Sequence, residues 1–192
     1  MPDDKEELSQ ELIHLTKNLD YHKLNEKSNT TDVEVFQLYM TEVKDLLERG
    51  ADINASLNEG NFGTPIHYAV CHGNKDIVRF LIENGADINR CNAQKTTPLH
   101  YAVLYGDMGM YGNSDGVGII KTLIDAGADV NAQDTQGKTA LGWAKQYAEE
   151  SRQPESKYEV YGRLLEAYSE KVKIEGSLQD SQSIKAGRKQ KI

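Results

Sequence analysis

Thr97-Pro98-Leu99-His100-Tyr101-Ala102 stands 33 residues after Thr64-Pro65-Ile66-His67-Tyr68-Ala69, and a worn copy follows at Thr139-Ala140-Leu141-Gly142-Trp143-Ala144. A second series runs in phase with it: Gly50-Ala51-Asp52-Ile53-Asn54, Gly85-Ala86-Asp87-Ile88-Asn89 and Gly127-Ala128-Asp129-Val130-Asn131. Thr before Pro reads as a helix N-cap followed by a proline at the first helical position, where a missing N–H costs nothing. An apolar pair precedes each glycine (Leu46-Leu47, Leu81-Ile82, Leu123-Ile124). Each glycine therefore suits the left-handed residue that ends a helix, and the Asp-apolar-Asn run after it favours a turn. Every unit reads as cap, short helix, turn, helix, glycine stop, turn.

Working outward, four helix pairs emerge. The first is degenerate: Leu8, Leu12, Leu15 and Leu19 recur at helical spacing, and Phe36, Tyr39, Met40, Val43, Leu46 and Leu47 mark its second helix. The others fall near residues 64–83, 97–125 and 139–168. The outer units lack the full signature, as the ends of a stacked array must, because each shows one face to water.

These motifs closely resemble the ankyrin repeat, a β-turn finger followed by two antiparallel helices with a TPLHxA signature. The resemblance covers residues 33–169. It implies an all-α ankyrin-repeat solenoid of about four helix-turn-helix units with β-turn fingers and degenerate terminal caps. Residues 1–32 then form a helical N-terminal cap and polar linker, and 170–192 a basic tail expected to lack structure, since it is polar and shows no helical periodicity.

Three insertions interrupt the pattern. The first finger, Asn54 to Thr64, is two residues longer than the next two. The third unit carries nine extra residues between its helices, around Met108–Gly118, and the fourth is lengthened around Glu149–Lys157. Lys95 occupies a finger position held by Gly137 in the next copy, where the resemblance implies glycine.

Composition narrows the function. The net charge is −8, yet residues 171–192 hold six cations against two anions, which leaves −12 on the rest. An acidic body disfavours nucleic acid. No apolar run approaches the roughly 18 residues of a membrane span, and the acidic N-terminus is unlike a secretory signal. Cys71 and Cys91 form no CxxC or Cys/His metal spacing. A reduced intracellular, cytoplasmic setting, no cofactor, no metal and a monomer are the expectations.

No catalytic set shows a believable spacing, so a non-enzymatic role is expected. His67 and His100 read as helix-start histidines that hydrogen-bond backbone and tie neighbouring units together. The glycine-rich segment Gly106–Gly118 precedes a helix as a phosphate cradle would. It lacks the preceding strand and the Lys-Ser/Thr pair, so a nucleotide-binding or enzymatic role is the weaker alternative.

The resemblance also implies a surface. The residue after the signature histidine faces the concave groove in ankyrin proteins, which selects Tyr68, Tyr101 and Trp143. One turn on come His72, Tyr105 and Tyr147. Six such side chains make a ladder of residue types that dominate interfaces. Fingertips add Phe62, Gln94, Lys95, Gln136 and Lys138. The expected function is a protein–protein interaction module that captures a protein partner with groove and fingers. An alternative is a secreted bacterial effector aimed at a host protein and exported through the basic tail. The resemblance further marks Asn54 and Asn131, each eight residues after a leucine and followed by alanine, as candidates for asparaginyl hydroxylation.

Overall fold

The computed structural model describes residues 2–17, 32–56, 63–105, 115–151 and 156–189. They form eight helices and no strand: α1 (Pro2–Lys17), α2 (Asp32–Glu48), α3 (Pro65–Cys71), α4 (Lys75–Glu83), α5 (Pro98–Tyr105), α6 (Gly116–Asp125), α7 (Ala140–Ser151) and α8 (Lys157–Lys189). Successive helices pair as hairpins. The inner row stacks α1 on α3, α3 on α5 and α5 on α7, while α4, α6 and α8 form the outer row.

The local signals are used as the sequence predicts. Thr64 caps α3 in extended geometry, with Pro65 following, and its N–H donates to His67 Nδ1 at 3.1 Å. Asn74, which the sequence reading did not single out, caps α4 by accepting from the N–H groups of Asp76 and Ile77 at 3.0 and 3.1 Å. The three helix-ending glycines share one geometry. Gly50, Gly85 and Gly127 have φ of 105°, 91° and 99°. Each following alanine N–H reaches back to a leucine carbonyl (Leu46, Leu81, Leu123) at 2.9 Å. Such φ values suit glycine, and the back-bonded pair closes the helix end in a Schellman-type cap.

The core is one continuous seam. Ile66, Val70, Ile77, Leu81, Leu99, Val103, Ile119, Ile120 and Leu123 are buried along it. Ala69, Ala102 and Ala144 are fully buried on the inner row, and their small side chains let adjacent inner helices approach closely. Burial of this shared apolar surface between units, rather than within any one, holds the array.

The ends are built from substitutes. At the N-terminus, α1 replaces an inner helix: Leu12 and Ile13 are buried, and Tyr39 Oη donates to Thr16 Oγ1 at 3.3 Å. At the other end the sequence reading expects a structureless tail from residue 170. The backbone of 170–189 continues α8 as helix. Its first turns are anchored by buried Tyr161 and Leu165, which bear the cost of nucleation, and no proline follows to stop propagation. The insert expected at Met108–Gly118 falls largely outside the described residues. Its last residues, Gly116–Gly118, are the first turn of α6, where Asp115 accepts from the N–H of Gly118 at 2.7 Å.

Candidate interaction surface

Two hydrogen-bonded columns fasten the units to one another. The first runs through the signature histidines. His67 Nδ1 accepts the Thr64 N–H, and Nε2 donates to the carbonyl of Thr96 in the next finger at 3.3 Å. His100 repeats this with Thr97 N–H at 3.3 Å and the Lys138 carbonyl at 3.0 Å. Each imidazole accepts from backbone on one side and donates to backbone on the other, which is a neutral-ring arrangement. Burial pushes the His67 pKa down to about 4, against a smaller raising effect of its bond to Thr96. These rings are structural ties with no free nitrogen for catalysis.

The second column runs through the Asp-apolar-Asn turns. Asn54 Oδ1 accepts from the N–H of Asp87 at 2.7 Å, and its Nδ2 donates to the Gly85 carbonyl at 3.3 Å. Asn89 does the same to Asp129 and Gly127. At the N-terminal end Ser9 Oγ of α1 takes the place of asparagine, accepting from Asp52 N–H at 2.8 Å. The two candidate modification sites differ accordingly. Asn54 is half-buried and engaged on both ends, whereas Asn131 is exposed at the end of the column with no repeat of this kind beyond it.

The aromatic ladder is placed differently from the expectation that it faces the open groove. Tyr68 and Tyr101 are buried, each 6% exposed, and His72, Tyr105, Trp143 and Tyr147 are half-buried. The cause is the close stacking of inner helices. The Tyr101 ring stands edge-on against His67 of the preceding unit, with centroids 5.3 Å apart, and Trp143 stands edge-on against His100 at 5.2 Å. His72 Nε2 donates to the Lys17 carbonyl at the end of α1 at 3.0 Å. A ring one position after the histidine fills the crevice toward the preceding unit. Tyr105, Trp143 and Tyr147 keep an open edge. Ring contacts run from Tyr101 to Tyr105 at 5.6 Å, from Trp143 to Tyr147 at 6.3 Å and from Tyr147 to Tyr158 of α8 at 5.4 Å.

The fingers lie beside these rings. In the second finger, Asn92 Oδ1 accepts from the N–H groups of Gln94 and Thr96 at 2.9 and 3.0 Å, and its Nδ2 donates to Tyr101 Oη at 3.0 Å. In the third, Asp134 Oδ1 accepts from Gln136 and Lys138 N–H at 2.8 and 2.9 Å, and Oδ2 accepts from Trp143 Nε1 at 2.8 Å. Burial works to raise the Asp134 pKa, but these donors and the nearby His100 outweigh it and hold the carboxyl below its usual range. The two fingers touch through Thr135 N–H donating to the Gln94 carbonyl at 3.0 Å. Lys95 and Gln136 are exposed, and Gln94 and Lys138 are half-buried. Phe62 lies outside the described residues. The sequence reading missed the anchoring roles of Asn92, Asp134 and Ser9. The first two were legible in principle, since both stand five residues before the signature threonine and nine before the aromatic they bind.

A model of three ankyrin repeats matches residues 37–112, and a single-repeat model matches 94–135. The chain belongs to the ankyrin-repeat family. Among curated ankyrin proteins, a fowlpox virus (strain NVSL) ankyrin repeat protein is 47% identical over 36 residues, 19% of this chain and 6% of the relative. The "Ankyrin repeat and LEM domain-containing protein 1 homolog" of Caenorhabditis elegans is 39% identical over 66 residues, 34% of this chain and 8% of the relative. The chain thus matches only a small part of the length of these relatives. Ankyrin repeats generally mediate protein–protein interaction.

Among the described residues no group of three or more His, Cys, Asp or Glu is placed to hold a metal ion. Burial pushes the Cys71 thiol up to about 12, so it is a poor nucleophile at neutral pH. At the start of α6 the carboxylate of Asp115, joined to Lys75 Nζ at 2.6 Å, already occupies the place a phosphate would take. No described helix is long and apolar enough to cross a membrane.

Proposed function

We propose that this ankyrin array is a non-enzymatic, intracellular module that binds a protein partner along the inner face. The contact uses the open edges of Tyr105, Trp143 and Tyr147 together with the second and third fingertips. Tyr68, Tyr101 and His72 serve as the floor beneath that contact.

The observation that carries this reading is the ordered state of the half-buried rings. Each already packs against a neighbouring ring within 5.2 to 6.3 Å. Docking a partner on them freezes few rotamers, so more of the buried area is realised as affinity. Tyr and Trp edges flanked by polar fingers match the usual anatomy of a recognition surface, with an aromatic centre and a polar rim.

The test is the double change Tyr105→Ala with Tyr147→Ala. Partner affinity is expected to fall by more than about 2 kcal/mol, roughly thirtyfold, with the helical circular dichroism signal retained. Unchanged affinity in a folded double variant would reject the inner face as the contact.

A further inference from the structure

Lys95 has φ of 57°, the one positive φ outside glycine among the described residues. Its counterpart in the third finger is Gly137, with φ of 75°. The turn therefore requires the left-handed region at this position, where an L side chain other than Asn or Asp is disfavoured. Glycine would fit, and a lysine stands there instead. The side chain is exposed and makes no hydrogen bond or ion pair among the described residues, so nothing within the fold repays the strain.

The tips of the second and third fingers carry two lysines, Lys95 and Lys138. Arg90 at the base of the same finger is exposed and shares its turn with exposed Asp87, whose carbonyl accepts from the Arg90 N–H at 3.2 Å. Lys138 Nζ donates to Gln146 Oε1 at 2.6 Å, a neutral amide, and keeps its charge uncompensated. The carboxylate of the two fingers, Asp134, is turned inward with both oxygens engaged. The tips of these fingers thus present Lys95 and Lys138 and no exposed anion, with Asp134 buried beneath them. A second ridge, at the finger bases and the helix ends that feed them, repeats exposed carboxylates instead: Glu48, Asp52, Glu83, Asp87, Asp125 and Asp129. A negatively charged segment is attracted to the fingertips and repelled by that ridge, within a screening length of about 8 Å at physiological salt.

We propose that the second and third fingertips, with Lys95 at their centre, recognise an acidic segment rich in Asp or Glu on the protein partner. This deepens the proposed function and rests on it. Lys95 supplies a charge at the tip that glycine would not, and local backbone strain retained at a recognition site has precedent. The rim charges set orientation and on-rate, while the aromatic edges supply most of the affinity.

The test uses the full chain and a fluorescein-labelled twelve-residue peptide alternating Glu and Ala, with the Gln-for-Glu peptide as control, read by anisotropy. The acidic peptide should bind at low salt, the neutral one more than about tenfold weaker, and affinity should fall as salt rises. Lys95→Gly should weaken binding about three- to fivefold while raising the melting temperature. Arg90→Gln with Lys95→Gly and Lys138→Gln should weaken it by more than about tenfold. Because Lys95→Gly relieves strain, loss of binding in that variant is not a folding defect. Equal affinity of wild type and Lys95→Gly, no preference for the acidic peptide, or no binding of it at low salt would overturn the proposal. Failure here with a partner still lost on Tyr105→Ala/Tyr147→Ala would leave the inner-face reading standing. An unaffected partner in that double variant would remove both.

Discussion

The second and third fingers have the same backbone hydrogen bonds and meet them with different side chains. In one, an amide takes two backbone N–H groups and donates to a tyrosine hydroxyl (Asn92 to Tyr101). In the other, a carboxylate takes the equivalent N–H groups and accepts from an indole (Asp134 from Trp143). Donor and acceptor have exchanged sides across the contact. What the structure demands is a complementary pair that pins the finger to its own inner helix, while a histidine of the preceding unit pins it from the other side. The fingers differ again at the tip, where Gly137 is at ease and Lys95 is not.

Acid tests the histidine pins and carries the largest effect. The folded His67 pKa of about 4 lies below the ordinary 6.5, so the unfolded chain binds the extra proton first. Stability from this group is complete above about pH 6.5 and is lost as pH falls through 4, by about 3 kcal/mol. His100 and His72 are also lowered by burial and act in the same direction. Urea midpoints measured between pH 7.5 and 4 should fall steeply below pH 6.5, and His67→Gln should flatten that slope. A flat profile in the native sequence would remove the histidines from the account.

The finger pins come next. Asp134→Ala strands two backbone N–H groups and the indole N–H and should cost about 2–3 kcal/mol. Asn92→Ala, which removes neutral bonds, should cost about 1–2 kcal/mol. Equal losses in urea denaturation would mean that the charge on Asp134 adds nothing. The smallest effect is at the tips: Lys95→Gly should stabilise by about 1 kcal/mol and Gly137→Ala destabilise by a similar amount. Calorimetric melting temperatures moving together, rather than apart, would contradict the shared left-handed turn.

Much of this was legible before any coordinates. The cap at Thr64, the left-handed glycines and the inter-unit role of His67 and His100 all follow from local chemistry repeated in phase. The direction in which the aromatic rings face did not follow. Helical spacing places Tyr68 and Tyr101 on one face of short helices, but whether that face is open depends on how near the preceding unit comes. That distance is set by Ala69 and Ala102 packing across the stack, a tertiary effect. The helical continuation of 170–189 was hidden for a related reason, since it draws on nucleation by Tyr161 and Leu165 and not on its own weak pattern. The pairing of Asn92 with Tyr101 was visible only by setting the two fingers side by side.

Matched polar pairs fasten the inner-face aromatics to the fingers, and everything proposed for the inner face depends on them. A double-mutant cycle on Asp134→Asn and Trp143→Tyr, followed by circular dichroism in urea, addresses this directly. Alone, Asp134→Asn sets an amide N–H against the indole N–H. When Trp143→Tyr is added, the amide can donate to the new phenolic hydroxyl as Asn92 does to Tyr101. The cost of Asp134→Asn should therefore shrink by at least about 1 kcal/mol in the Trp143→Tyr background. An equal cost in both backgrounds would show that the finger and the inner helix are not coupled through this pair.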